Sequence, residues 1–192
     1  MSFNVTFNNQ TKTYDKPVKV LDIVGPSKDI VCAYVNNRVR ELTYELTKDS
    51  EVVPLTTKDR DAKSIYEASL RFLTAMAMHN IRPDLEIRFS YNISRSIFLQ
   101  ILTPGVFSSS SMTKALEAEM RRLVKEDIPM IRNIVSKEEA KKIFQQDGFD
   151  DKVKILEYRP EKTAHIYTCA GYRNYMYNRM VPSTGYINNF KV

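Results

Sequence analysis

Phe3, Val5 and Phe7 alternate with polar residues, and after Asn8, Asn9 and Gln10 a second short run closes at Tyr14. A period of two predicts strands, and the turn-rich tip between the runs predicts a hairpin. Beyond Pro17, the residues Val20, Ile23 and Val24 recur at helical spacing until Gly25-Pro26 ends them, which predicts a short helix. Three more strands are predicted: Ile30 to Val35, then Val39 and Leu42 after the turn residues Asn36-Asn37, and Val52 to Leu55.

The period changes near Asp59. From Asp61 to Ile81, Tyr66, Leu70, Leu73, Met76 and Ala77 share one helical face, and Pro83 closes the segment. Leu85 to Ile93 alternates strictly and Ile97 to Leu102 follows, predicting paired antiparallel strands with one buried face. Ser108 to Ser111 supplies an N-cap for an amphipathic helix carrying Leu116, Met120, Leu123 and Val124. Met130 to Val135 predicts a strand, Ser136 with Glu139 a capping box, and Gly148 the end of that helix. Val153 to Leu156 and His165 to Cys169 are expected as short strands, before an aromatic-rich tail from Tyr172 to Phe190. Together these predict an α+β chain. Residues 1–59 form a small sheet gripping one helix, the β-grasp pattern, and residues 60–192 a second domain with a mainly antiparallel sheet packed by helices.

Composition narrows the chemistry. The 192 residues carry 29 Lys and Arg against 23 Asp and Glu, a formal charge of +6 that favours anionic partners without making a charge-driven nucleic-acid binder. The last 42 residues hold seven cations and three acids, so the excess is concentrated there, interleaved with Tyr167, Tyr172, Tyr175, Tyr177 and Tyr186. Such a face either stacks RNA bases and contacts phosphates or packs its rings under a solvated rim. The glycines at 25, 105, 148, 171 and 185 match neither P-loop nor dinucleotide-binding spacing, so no nucleotide-driven chemistry is expected of this chain alone. No apolar run approaches the ~18 residues of a membrane helix, and residues 1–16 lack the features of a signal peptide, so a cytoplasmic protein away from the membrane is expected. Cys32 and Cys169 are too few and too distant for a disulfide framework.

Candidate sites are sparse. His165 and Cys169 would share a helix face, but Ile166, Tyr167 and Thr168 favour a strand, where the same spacing spans about 13 Å, too far for one metal ion. His79 near a helix end complements the dipole there. Val181-Pro182-Ser183-Thr184-Gly185-Tyr186 reads as a reverse turn, with anion binding by the Ser183 and Thr184 hydroxyls as the alternative. Tyr172 and Arg173 join them as candidate ligand-binding residues.

In its residue order the chain resembles the N-terminal half of threonyl-tRNA synthetases: a TGS domain of β-grasp type, then the editing-type second additional domain shared with alanyl-tRNA synthetases. Val35-Asn36-Asn37-Arg38-Val39 and Val52 to Asp59 carry the first part, and Ser136 to Phe144 with Tyr167 to Arg173 the second. The resemblance implies an editing site built from HxxxH on the first helix and CxxxH near the end, and these positions fall on Ala68, Phe72, Cys169 and Arg173. A methyl, a phenyl ring and a guanidinium accept no proton from an attacking water, so the site is expected to be degenerate, with no catalytic residue, metal or cofactor. Cys169 survives as a lone thiol, reactive only if Arg173 stabilises its thiolate.

The tail Cys169-Ala-Gly-Tyr172, Tyr175-Met-Tyr177 and Val181-Pro-Ser-Thr-Gly-Tyr186-Ile187, with the Ile65 to Leu73 helix, is also similar to bacterial uridine kinase-like nucleoside kinases, in which the same two modules precede a kinase domain. That implies a regulatory or binding module whose downstream kinase domain, acting in cis with ATP and Mg, lies beyond Val192. RNA or a small molecule is the expected ligand, and a homo-oligomer the expected assembly. The alternative is a tRNA-binding or trans-editing protein of threonyl-tRNA synthetase type that deacylates aminoacyl-tRNA.

Overall fold

The structure, a computed structural model, describes residues 2–94 and 96–192. It is α+β, with mainly antiparallel sheets packed by helices. Packing divides it into two compact units, Met1–Ile128 with Arg179–Val192, and Pro129–Asn178.

In the first unit, β1 (Phe3–Phe7) and β2 (Gln10–Tyr14) form the predicted hairpin, with Asn8 and Asn9 both left-handed at φ 50° and 62°. Two consecutive positive φ values make a turn whose twist matches the strands, and asparagine tolerates that region better than other side chains. Asn36 and Asn37, at φ 48° and 61°, repeat the device between β4 (Ile30–Val35) and β5 (Arg38–Glu41). The short strand β3 (Val18–Lys19) leads into α1 (Val20–Val24) and pairs with β6 (Glu45–Leu46). β7 (Ser50–Thr56) runs parallel to β1 and antiparallel to β4, giving the sheet order β2-β1-β7-β4-β5. This is the β-grasp arrangement.

The long helix α2 (Arg60–Ile81) packs against β4 and β7, and Tyr34 on β4 donates its hydroxyl to Asp61 at 2.9 Å. A separate hairpin joins β8 (Ile87–Ile93) to β9 (Ser96–Ile101). Helix α3 (Ser110–Glu126) starts from Ser109, whose hydroxyl accepts from Met112 N at 3.2 Å, and buries Leu116, Met120 and Leu123, with α2 as its packing partner. Arg179–Val192 returns to this unit as an extended strap interrupted by a 3-10 turn at Thr184–Tyr186.

The second unit is a three-stranded antiparallel sheet, β10 (Ile131–Ser136), β11 (Thr163–Cys169) and β12 (Tyr172–Tyr175) in the order β10-β11-β12, with two helices. α4 (Lys137–Gln146) begins where Ser136 Oγ accepts from Glu139 N at 3.1 Å. It ends as predicted at Gly148, φ 74°, where Phe149 N bonds Phe144 O at 2.8 Å and the Phe149 ring meets the Phe144 ring edge-on. Only a left-handed residue lets the chain fold back into that closure. Val153 to Leu156, expected as a strand, is instead part of α5 (Asp150–Tyr158). Phe149, Val153 and Leu156 are spaced for one helical face, Asp150 and Asp151 favour a helix start, and that face closes the core of Ala140, Phe144, Leu156, Ala164 and Ile166.

Candidate functional site

The four positions implied by the editing resemblance divide between the units. Ala68 and Phe72 lie one turn apart on α2, 8% and 1% exposed, where they belong to the apolar face that makes this helix amphipathic. Neither side chain offers a proton acceptor. Between them Ser69 is fully buried: its hydroxyl donates to Ile65 O at 2.8 Å and accepts from Val181 N at 3.0 Å. The next amide along the strap, Met180 N, donates to the buried carboxylate of Glu41 at 3.0 Å. In this unit the strap therefore meets α2 and β5 through Met180-Val181. The sequence carried one signal of this: a serine inside an apolar helical stripe needs a partner.

Cys169 and Arg173 lie on the β11–β12 hairpin, whose turn Ala170-Gly171 is left-handed at φ 45° and 84°. The register sets Cys169 opposite Tyr172 and Thr168 opposite Arg173. Because strand side chains alternate, thiol and guanidinium leave the hairpin on opposite faces. Arg173 instead closes on Asp147, at the end of α4, with bonds of 2.9 and 2.5 Å. Cys169 is 1% exposed, and burial alone pushes its thiol up to about 11, so the nucleophilic thiolate is scarce at neutral pH. Burial likewise pushes the Tyr172 phenol up to about 12, against a hydrogen bond from Asn174 Nδ2 at 3.1 Å that acts the other way. His165 sits with Cys169 on β11, and Arg132 Nη2 lies 3.0 Å from its Nδ1.

Ser183 and Thr184 are buried and point inward. Thr184 Oγ1 donates to Leu123 O at 2.6 Å and accepts from Ile128 N at 2.8 Å, satisfying backbone groups at the end of α3. Ser183 Oγ donates to Asp127, the left-handed residue that caps α3. The same carboxylate accepts from Gly185 N at 3.1 Å and from Lys28 Nζ at 2.7 Å, and that ammonium stands 4.1 Å over the Tyr186 ring. Both hydroxyls thus hold the strap to α3.

Of the tail's rings, Tyr167 and Tyr186 are core residues, whereas Tyr177 is 80% exposed. Arg159 lies 5.2 Å from the Tyr175 ring and 5.4 Å from the Tyr177 ring, and is ion-paired with Glu161. Among the described residues no group of three or more His, Cys, Asp and Glu is gathered as metal ligands would be, and no helix is long and apolar enough to cross a membrane.

The chain is similar to threonine–tRNA ligases. It is 30% identical to that of Listeria monocytogenes serotype 4a over 195 residues, covering 98% of this chain and 30% of the ligase. The ligase of Symbiobacterium thermophilum is 28% identical over 172 residues, 88% of this chain and 26% of its own length. That of Carboxydothermus hydrogenoformans is 27% identical over 191 residues, 96% of this chain and 30% of the ligase. No family model matches the chain. The chain thus spans less than a third of the ligases it matches, and the similarity runs through both compact units.

Proposed function

We propose that this chain is a threonyl-tRNA synthetase-like module that recognises tRNA without hydrolysing its aminoacyl ester. Similarity at 30% identity over 98% of the chain to a threonine–tRNA ligase carries this reading. The side chains support its second half: the apolar pair Ala68 and Phe72, the guanidinium of Arg173 held by Asp147, and the buried thiol of Cys169 include no group placed to activate water. The boundary near Asp59 belongs to this reading as a division between inherited modules. A parent uridine kinase-like enzyme using ATP and Mg rests on the tail residues and the Ile65 to Leu73 helix, and the ligase relatives favour the synthetase side of the resemblance.

Fluorescence anisotropy of labelled, deacylated tRNA titrated with the full chain tests recognition, and release of amino acid from mischarged tRNA tests hydrolysis. Expected are saturable binding that weakens with salt, as released counterions require, and ester decay at the spontaneous rate. Absence of tRNA binding at low salt overturns the recognition claim. Accelerated deacylation that disappears in Cys169→Ser makes the protein a trans-editing enzyme instead.

A further inference from the structure

At the edge of the five-stranded sheet a concavity of about 330 Å³ is lined by Val35, Asn36, Arg38, Arg40, Tyr44 and Lys48. Its polarity is set by strand alternation: Arg38 and Arg40 are two apart on β5, paired with Val35 and Ala33, so they rise from one face of the outermost strand. Lys48 comes from the segment between β6 and β7. Three cations share the depression and no acidic residue lines it; among the described residues none of the three is ion-paired with a carboxylate. This contrasts with α3, where Arg121 and Arg122 are paired with Glu117, Glu119 and Glu126.

The walls are held in place. The Asn36 amide donates to Asp49 O at 3.1 Å and accepts from Glu51 N at 2.8 Å, tying the β4–β5 turn to the start of β7. The carboxylate of Asp49, next to Lys48, is taken by Asn4 N at 2.7 Å, and that of Glu41, next to Arg40, by Met180 N. The Arg40 guanidinium carbon lies 4.7 Å from the centroid of the Tyr44 ring, a cation–π contact. Three unpaired like charges around one concavity repel each other, and an anion seated among them reverses the sign of that interaction.

We infer that this concavity is a binding site for a compact di- or polyphosphate group. Two guanidinium forks and an ammonium match several phosphate oxygens, and the volume lies at the lower end of small-ligand sites. A single depression with its three cations gathered around it suits one compact anion better than the extended track that a nucleic-acid backbone needs. This inference stands apart from tRNA recognition and has its own probe.

The test is isothermal titration of the full chain with inorganic pyrophosphate at low salt, with sulfate as the control for general anion binding. Saturable, one-site binding of pyrophosphate is expected, tighter than sulfate. Arg40→Gln and Lys48→Gln, both surface changes, should each weaken it on the order of tenfold, as loss of a charge-assisted contact does. Lys114→Gln, removing an exposed cation elsewhere on the unit, should leave it within about twofold. Circular dichroism confirms that each variant is folded. No saturable heat, or equal weakening in Lys114→Gln, overturns the proposal. So does an inert pyrophosphate titration alongside single-stranded RNA binding that Arg40→Gln abolishes, because the site would then read a nucleic-acid backbone.

Discussion

The guanidinium of Arg173 on β12 closes on both carboxylate oxygens of Asp147, Nε to Oδ2 at 2.9 Å and Nη2 to Oδ1 at 2.5 Å. The pair joins the end of α4 to the edge strand of its sheet, with side chains 31% and 22% exposed. A planar fork on a half-buried carboxylate is worth more than a solvated ion pair, yet less than a fully desolvated one. Arg173→Gln is therefore expected to lower the unfolding free energy by about 1 kcal/mol. Chemical denaturation of the variant measures this, and Asp147→Asn combined with Arg173→Gln should cost less than the two single changes added.

Local pattern showed much of this architecture and little of what fastens it. Asn8-Asn9 and Asn36-Asn37 were legible as turns because asparagine is a residue that accepts left-handed backbone, and Gly148 was legible as a helix stop for the same reason. Val153 to Leu156 misled because a short apolar run has no period of its own; only Phe149 and the paired aspartates mark it as helix. The strap was beyond reach. Tyr66 exchanges hydrogen bonds with Asn189 N and O at 2.8 and 3.1 Å across 123 residues, and no periodicity encodes so remote a partner. Ser183 and Thr184 were visible as hydroxyls in a turn, while their partners at the end of α3 were not. The cation-lined concavity was hidden likewise, since Arg38 and Arg40 look like an ordinary solvated strand edge until Lys48 is folded beside them.

Gly185 is required by proximity rather than by backbone angle. A Cβ at this position would stand 2.3 Å from Asp127 Oδ1 and 2.6 Å from its Cγ. Asp127 cannot swing aside freely, because Lys28, Ser183 and Gly185 N all hold its carboxylate. Gly185→Ala should therefore destabilise by about 2–3 kcal/mol, the cost of displacing a hydrogen-bonded charge. At Gly171 an added Cβ meets open space and only the left-handed backbone, φ 84°, resists it, so Gly171→Ala should cost about 1 kcal/mol. Thermal denaturation of both variants checks the order, and a larger loss at Gly171 would contradict it.

Asp127 also gives the stability a pH dependence. Burial pushes its carboxyl up, but hydrogen bonds from Lys28 and Ser183, the Lys28 charge and Gly185 N together hold it below the ordinary carboxylate value. The folded group is more acidic than the unfolded one, so its contribution is complete above about pH 4 and is lost as the pH falls through the folded value. Unfolding free energy should decline with acidification below about pH 4, more steeply in the native protein than in Asp127→Asn. Denaturation midpoints from pH 6 down to pH 2.5 measure the difference. Equal slopes would show that this carboxylate is not what the strap depends on.

Both cysteines should behave as core residues toward electrophiles. Cys32 is fully buried, and its thiol is pushed up to about 12, first by burial and then by the charges of Asp61 and Asp59. Cys169 reaches about 11 through burial alone. A displacement of that size leaves the Cys169 thiolate about a hundredfold scarcer at neutral pH than in an ordinary cysteine, and enclosure slows reaction further. Iodoacetamide at pH 7.5 should therefore leave both thiols unmodified in the folded chain and alkylate both once the chain is unfolded in guanidinium, as peptide mass spectrometry would record. Fast modification confined to Cys169 in the native protein would instead reveal an activated nucleophile at the hairpin, and with it a chemistry that the Arg173–Asp147 pairing argues against.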